Sequence, residues 1–238
     1  HAAFGTLRHR VQFPAPRHFF LPAIISVIIM GNEDVRPNPD DLAENFRKSP
    51  RFQALIDSCT SFIATHSKLT DDQFRQLFTG RLFEELAFLH CLAKVPAGFE
   101  LLDPSATLEY FRDLYQNHPH PSMTYQGPGD GYIPDGILRK TVEEGGEIVK
   151  LLEYSAKLDG GNSYAYARSK RRNVQRLRER YPNRFSSSRL QILFPEDTGI
   201  GNFKLGKLTE LGSVPYSYVN LHRFAHEILP KRTASAQE

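Results

Sequence analysis

The order of elements along this chain predicts an α/β fold, a mixed sheet flanked by helices, and three stretches carry that prediction. Thr70-Asp71-Asp72-Gln73 has the S/T-x-x-Q form of a capping box and opens a long apolar helix. Residues 132–140 and 147–158 pair as a β-hairpin across Glu143-Glu144-Gly145-Gly146. A basic helix over 163–181 then leads into an apolar strand over 189–194.

Taken in order, residues 1–29 hold Arg8, Arg10, Arg17 and no acid, with an apolar run from 19 to 29. That run is too short to span a bilayer, which takes about 20 residues. No small-x-small cleavage site follows it, so Met30 reads as the natural start and 1–29 as a non-native or disordered leader. Residues 32–40 form a polar, Pro-broken linker. Two short helices follow, over 41–48 and 51–66, divided at Ser49-Pro50. The capped helix runs from 70 to Lys94, where Val95-Pro96-Ala97-Gly98 stops it. A short strand near 99–102, a helix over 104–117 and a Pro- and Gly-rich loop over 118–131 lead to the hairpin. The last helix spans 216–229.

Composition is that of an ordinary soluble α/β protein of 238 residues. The net charge of +3 misleads, because taking the three leader arginines from 30 basic residues leaves 27 against 27 acids. Attraction to a polyanion must therefore come from local clustering. Cys59 and Cys91 lack metal-ligand spacing and are too few for a disulfide scaffold, which points to reduced thiols in a cytoplasmic protein.

The capped helix is apolar nearly all round, so it should be buried on most sides. Glu84 stands out there, since a buried carboxylate needs a partner or a cation. Gly80 and Ala87, one turn away, should let another element come close. Asp135 follows Pro134 at the start of the hairpin, and Glu153, Ser155 and Lys157 share one face of its second strand. If the register brings Asp135 beside Glu153, two acids and a lysine converge. Such acids repel unless a cation lies between them, and hard oxygen ligands suit Mg²⁺, with Mn²⁺ as a substitute. Read singly, Asp135 is a turn residue and Glu153 with Lys157 an exposed strand pair.

The order of Gly80-Arg81-Leu82-Phe83-Glu84, Pro134-Asp135 and Glu153 resembles the PD-(D/E)xK nuclease superfamily, of restriction-endonuclease-like fold. The likeness covers about residues 70–195, and its motifs are short. It implies an αβββαβ core, with 30–69 as a helical extension and 70–238 as the nuclease-like domain. It also implies Mg²⁺-dependent hydrolysis of phosphodiesters, in DNA rather than RNA, by an enzyme of bacterial type. Asp135 and Glu153 would then hold the metal and Glu84 would add a ligand, directly or through water. The family pattern puts its lysine at 155, which is Ser155 here. Lys157 lies one pleat repeat further, about 6.6 Å along a strand, with the right parity. Either Lys157 has taken over the catalytic role, or the chain is an inactive nuclease-fold protein that binds nucleic acid or a partner protein.

Between Arg168 and Arg184 eight basic residues face one acid, Glu179. Arg168, Lys170, Arg171, Arg172, Gln175 and Arg176 are the expected nucleic-acid contacts. A homodimer is left open, and no membrane partner is expected. His222 and His226 lie four apart on a helix, but no Glu follows His222 in the metalloprotease manner, so they read as packing or surface. Gly127-Pro128-Gly129-Asp130-Gly131 precedes a strand, which argues against a phosphate-cradling loop.

Overall fold

The computed structural model describes residues 44, 46–65, 70–117, 131–141, 147–156, 160–198 and 207–229. The expectations for the leader, the 32–40 linker, the hairpin turn at 143–146 and Lys157 lie outside these residues. Residues 44, 46 and 47 are helical, in keeping with the first short helix.

The described elements are α1 (Pro50–Thr65), α2 (Asp71–Leu92), β1 (Glu100–Leu102), α3 (Pro104–Asn117), β2 (Gly136–Thr141), β3 (Glu147–Tyr154), α4 (Gly160–Arg180), α5 (Pro182–Phe185), β4 (Arg189–Pro195), β5 (Thr209–Val214) and α6 (Tyr218–Ile228). The strands form one mixed sheet in the order β1-β2-β3-β4-β5. The first three are antiparallel to their neighbours, while β3, β4 and β5 run parallel. Helix α4 supplies the crossover that a parallel β3–β4 pair requires.

The α/β class and the hairpin are as expected, with Gly136 opposite Leu152 and Thr141 opposite Glu147. The capping box is complete: the Gln73 N–H donates to Thr70 Oγ1 at 3.2 Å, and the Thr70 N–H donates to Gln73 Oε1 at 2.9 Å. Strand β5 was not foreseen. Its sequence Thr-Glu-Leu-Gly-Ser-Val lacks an apolar run, because it lies at a sheet edge and is only partly covered. Helix α2 is less enclosed than its composition suggests, with Leu77 37% exposed. Gly80 admits no close neighbour either, since a Cβ built there would meet nothing within 4 Å among the described residues.

Alternation along β3 divides the core in two. Leu152 and Tyr154 join Phe78, Leu82, Phe83 and Leu86 of α2 on one face of the sheet. Val149 and Leu151 pack with Ile137, Leu190 and Ile192 against Phe111 of α3 and Ala167, Val174 and Leu177 of α4 on the other. Glu153 has the parity of Val149 and Leu151, so the strand drives a carboxylate into the α4 side. Among the described residues no helix is long and apolar enough to cross a membrane.

Candidate functional site

Asp135 sits one residue before β2, and continuing the Gly136–Leu152 register by one step sets it across from Glu153. The Asp135 N–H donates to the Leu152 carbonyl at 3.0 Å, and the Tyr154 N–H donates to Asp135 Oδ2 at 2.8 Å. These two backbone bonds clamp the aspartate to the end of β3. Opposed residues of a pair project from the same face, so Asp135 and Glu153 both turn toward α4.

Glu153 is fully buried. Its Oε2 accepts from the Tyr166 hydroxyl at 2.5 Å and lies 2.5 Å from Lys170 Nζ. Tyr166 and Lys170 are one helical turn apart on α4, so both reach one carboxylate oxygen. Lys170 Nζ also lies over the rings of Tyr132, at 5.3 Å, and Tyr166, at 5.1 Å. The ammonium is thereby held by a carboxylate and two aromatic faces. Glu153 Oε1 has no hydrogen-bond partner among the described residues, although it is buried. A carboxyl oxygen left bare in the interior is costly, and Glu153 is the residue that the hairpin register sets across from Asp135. The Tyr132 hydroxyl is bare as well. Burial first, then the Glu153 charge and the hydrogen-bonding proximity of the two side chains, push its pKa well above the usual range.

Burial raises the Asp135 carboxyl well above its ordinary range, and the charges of Glu153 and Glu84 push the same way. Lys170 and the Tyr154 N–H oppose them. Glu84 is raised too, first by burial, with Arg81 opposing and Glu85 and Glu153 adding to it. Its Oε2 accepts from Arg81 Nη1 at 2.8 Å, and a third of the side chain is reachable by solvent. Glu84 therefore feels the other acids across the sheet end but does not close a ligand shell with them. Among the described residues the one group of three or more such ligands within 4.8 Å of one another is Asp72, His222 and His226. Asp135 and Glu84 both favour the proton, each through burial first and then through the charge of neighbouring acids that include Glu153.

No family model, curated protein or solved structure matches this chain.

The structure unites Asp135 and Glu153 and sets Glu84 at their edge. It moves one residue from the expected list to a different place. Lys170 is not on the solvent face of its helix but buried at the acids, 6% exposed. Ser155, at the position where the resemblance expects a lysine, is buried and donates its N–H to the Leu193 carbonyl at 2.9 Å. Arg168, Arg172, Gln175 and Arg176 are exposed and Arg171 is half-buried. Arg168, Arg172 and Arg176, four apart, make a stripe on the side of α4 opposite Lys170. Gln175 donates to Glu179 at 3.1 Å and does not approach the acids. With Arg171 and Arg178 it lines an open groove of about 470 Å³.

The Asp135 carboxyl yields a pH prediction. Its folded pKa is raised, so the stability it contributes is present below its ordinary 3.8 and is lost as pH climbs through the folded value. Asparagine keeps the acceptor for the Tyr154 N–H and carries no charge. In chelator, the melting temperature of Asp135→Asn should gain on the native protein as pH goes from 4 toward 8. Each 1 kcal/mol reads as roughly 2–4 °C at this size. Mg²⁺ should narrow the gap. A pH-independent offset between the two proteins would show that this carboxyl is not desolvated.

Proposed function

We propose that this chain is a Mg²⁺-dependent nuclease of the PD-(D/E)xK kind that hydrolyses phosphodiester bonds, in DNA before RNA. The observation that carries the reading is the bare, buried Glu153 Oε1 beside the clamped Asp135. The run α2-β1-β2-β3-α4-β4, with α3 and α5 inserted, has the order of the αβββαβ core that the resemblance implies.

Asp135 Oδ1 and Glu153 Oε1 are the oxygens that would hold Mg²⁺, and Glu84 would take part through a water. Bound there, the ion supplies a water of lowered pKa and neutralises charge that develops on the scissile phosphate. Lys170 is the cation of this site. Its ammonium is fixed by Glu153, Tyr132 and Tyr166, and it supplies the positive charge that Ser155 cannot. The Tyr166 hydroxyl fixes the orientation of the Glu153 carboxylate. The arginine stripe lies on the far side of α4, so it draws in and holds flanking backbone and does not touch the reacting phosphate.

Incubating the protein with plasmid and with single-stranded DNA, in Mg²⁺ or in chelator, tests the reading. Metal-dependent cleavage supports it. Salt-sensitive binding with no cleavage would replace it by a nuclease-fold binding protein, and neither activity would leave a structural ion pair. The stripe has its own test. Arg172→Gln with Arg176→Gln should weaken binding about equally on all sequences and lower the salt slope by roughly two. The cleavage rate at saturating DNA should stay as it was. An unchanged salt slope would remove these arginines from the interface.

A further inference from the structure

His222 and His226 lie one turn apart on α6, and the N-terminal turn of α2 brings Asp72 to them. The ligand atoms of all three fall within 4.8 Å of one another. We propose that they bind one d-block divalent cation of the Zn²⁺, Co²⁺ or Ni²⁺ class, at a site separate from the carboxylates of β2 and β3. The ion would clip the start of α2 to α6.

The two imidazole Nε2 atoms are 3.3 Å apart. Two nitrogens bound at about 2.05 Å on a tetrahedral ion are separated by about 3.3 Å, so the pair already spans a tetrahedral edge. Asp72 Oδ1 is 4.0 Å from His222 Nε2. That is about 0.7 Å beyond such an edge, and the exposed aspartate can make up the difference. Gln76 donates to its other oxygen, Oδ2, at 2.8 Å, which leaves Oδ1 turned toward the imidazoles.

The tautomer of His222 is fixed by its neighbour. The Thr79 hydroxyl donates its one proton to the Arg75 carbonyl at 2.8 Å, so at 3.2 Å from His222 Nδ1 it must accept. His222 therefore carries its proton on Nδ1 and presents the Nε2 lone pair to the cluster. This outer hydrogen bond is the arrangement that orients imidazole ligands of metals. Tyr218 stacks on the His222 ring at 5.8 Å and steadies its plane. The nearby Arg75 is drawn to Asp71, at 3.7 Å. Without metal, a proton on His226 Nε2 shared with His222 accounts for the contact, and a cation would replace that proton. Two imidazoles and one carboxylate suit a borderline ion, not Mg²⁺, and leave a fourth position for water.

The probe is Zn²⁺ alone, titrated into chelator-treated full-length protein and followed by calorimetry and by melting temperature. One equivalent should bind the native protein and Asp135→Asn alike and raise the melting temperature of both. His226→Ala, at an exposed position, should melt like the native protein without metal and lose affinity by about a hundredfold or more. Thr79→Val should keep the ligands yet weaken binding roughly tenfold. Zn²⁺ affinity unchanged in His226→Ala, or abolished by Asp135→Asn, would overturn the proposal. So would a melting temperature that Zn²⁺ leaves unmoved.

Discussion

Asp135→Ala should cut Mg²⁺-stimulated DNA cleavage by a factor of about 10³ or more while leaving affinity for DNA within about twofold, since a catalytic metal is worth several kcal/mol in the transition state. Asp135 is the better target of the two acids because it is held by the backbone of β3 and not by the core. Truncating it removes a charge whose pKa is raised by burial and by Glu153 and Glu84, but it also takes the acceptor from the Tyr154 N–H. Asp135→Asn keeps that acceptor, and loss of activity in an Asn variant that melts higher than the native protein cannot be blamed on unfolding. Measured rates with plasmid, against binding by fluorescence anisotropy, separate the two quantities. Cleavage that survives in Asp135→Ala would mean that the hydrolysis belongs to another site.

The acids were legible before the structure because each depends on local pattern. Pro134 and Gly136 bracket Asp135 at a strand start, and the parity of a single strand orients Glu153. Their meeting needed only the hairpin register, which a short connection restrains. Lys170 was not legible in the same way, since it sits among seven other basic residues and was read as one of them. Yet a signal was present. Ser163, Ala167, Val174 and Leu177 are buried at helical spacing, and Lys170 falls on that stripe. A lone lysine on the apolar face of a basic helix differs in that pattern from the exposed residues around it.

The Asp72–His222–His226 group was hidden for a different reason. Asp72 is about 150 residues from the histidines, and only the packing of α2 on α6 joins them. No local spacing encodes that contact. Strand β5 escaped notice because an edge strand needs little apolar patterning. Its Gly212 has Leu193 Cδ2 only 3.0 Å from where a Cβ would sit, which is a demand of packing and not of turn geometry.

Lys170→Met should destabilise the protein by about 3–5 kcal/mol, the loss expected when one partner of a buried ion pair is removed and the other stays charged. The pair qualifies, with the Lys170 side chain 8% exposed and Glu153 at 0%. Methionine fills much the same volume between Tyr132 and Tyr166, so the penalty is electrostatic and not a cavity. Glu153→Gln made together with Lys170→Met should therefore recover most of the stability, since glutamine still accepts from the Tyr166 hydroxyl and has no charge to neutralise. That recovery is the coupling of a double-mutant cycle, read from urea or thermal unfolding. A structural pair would show the same rescue, so activity has to decide its role. With Glu153 intact and Mg²⁺ present, the bound cation would take over part of the lost charge, and Lys170→Met should refold toward native stability as Mg²⁺ rises. Cleavage by that metal-supported variant should remain down by about 10² or more if the ammonium stabilises the reacting phosphate. Lys157→Ala, made alongside, should cut at a near-native rate. Should Lys157→Ala lose cleavage while Lys170→Met keeps it, the catalytic cation is the residue on the strand and Lys170 serves only to hold Glu153.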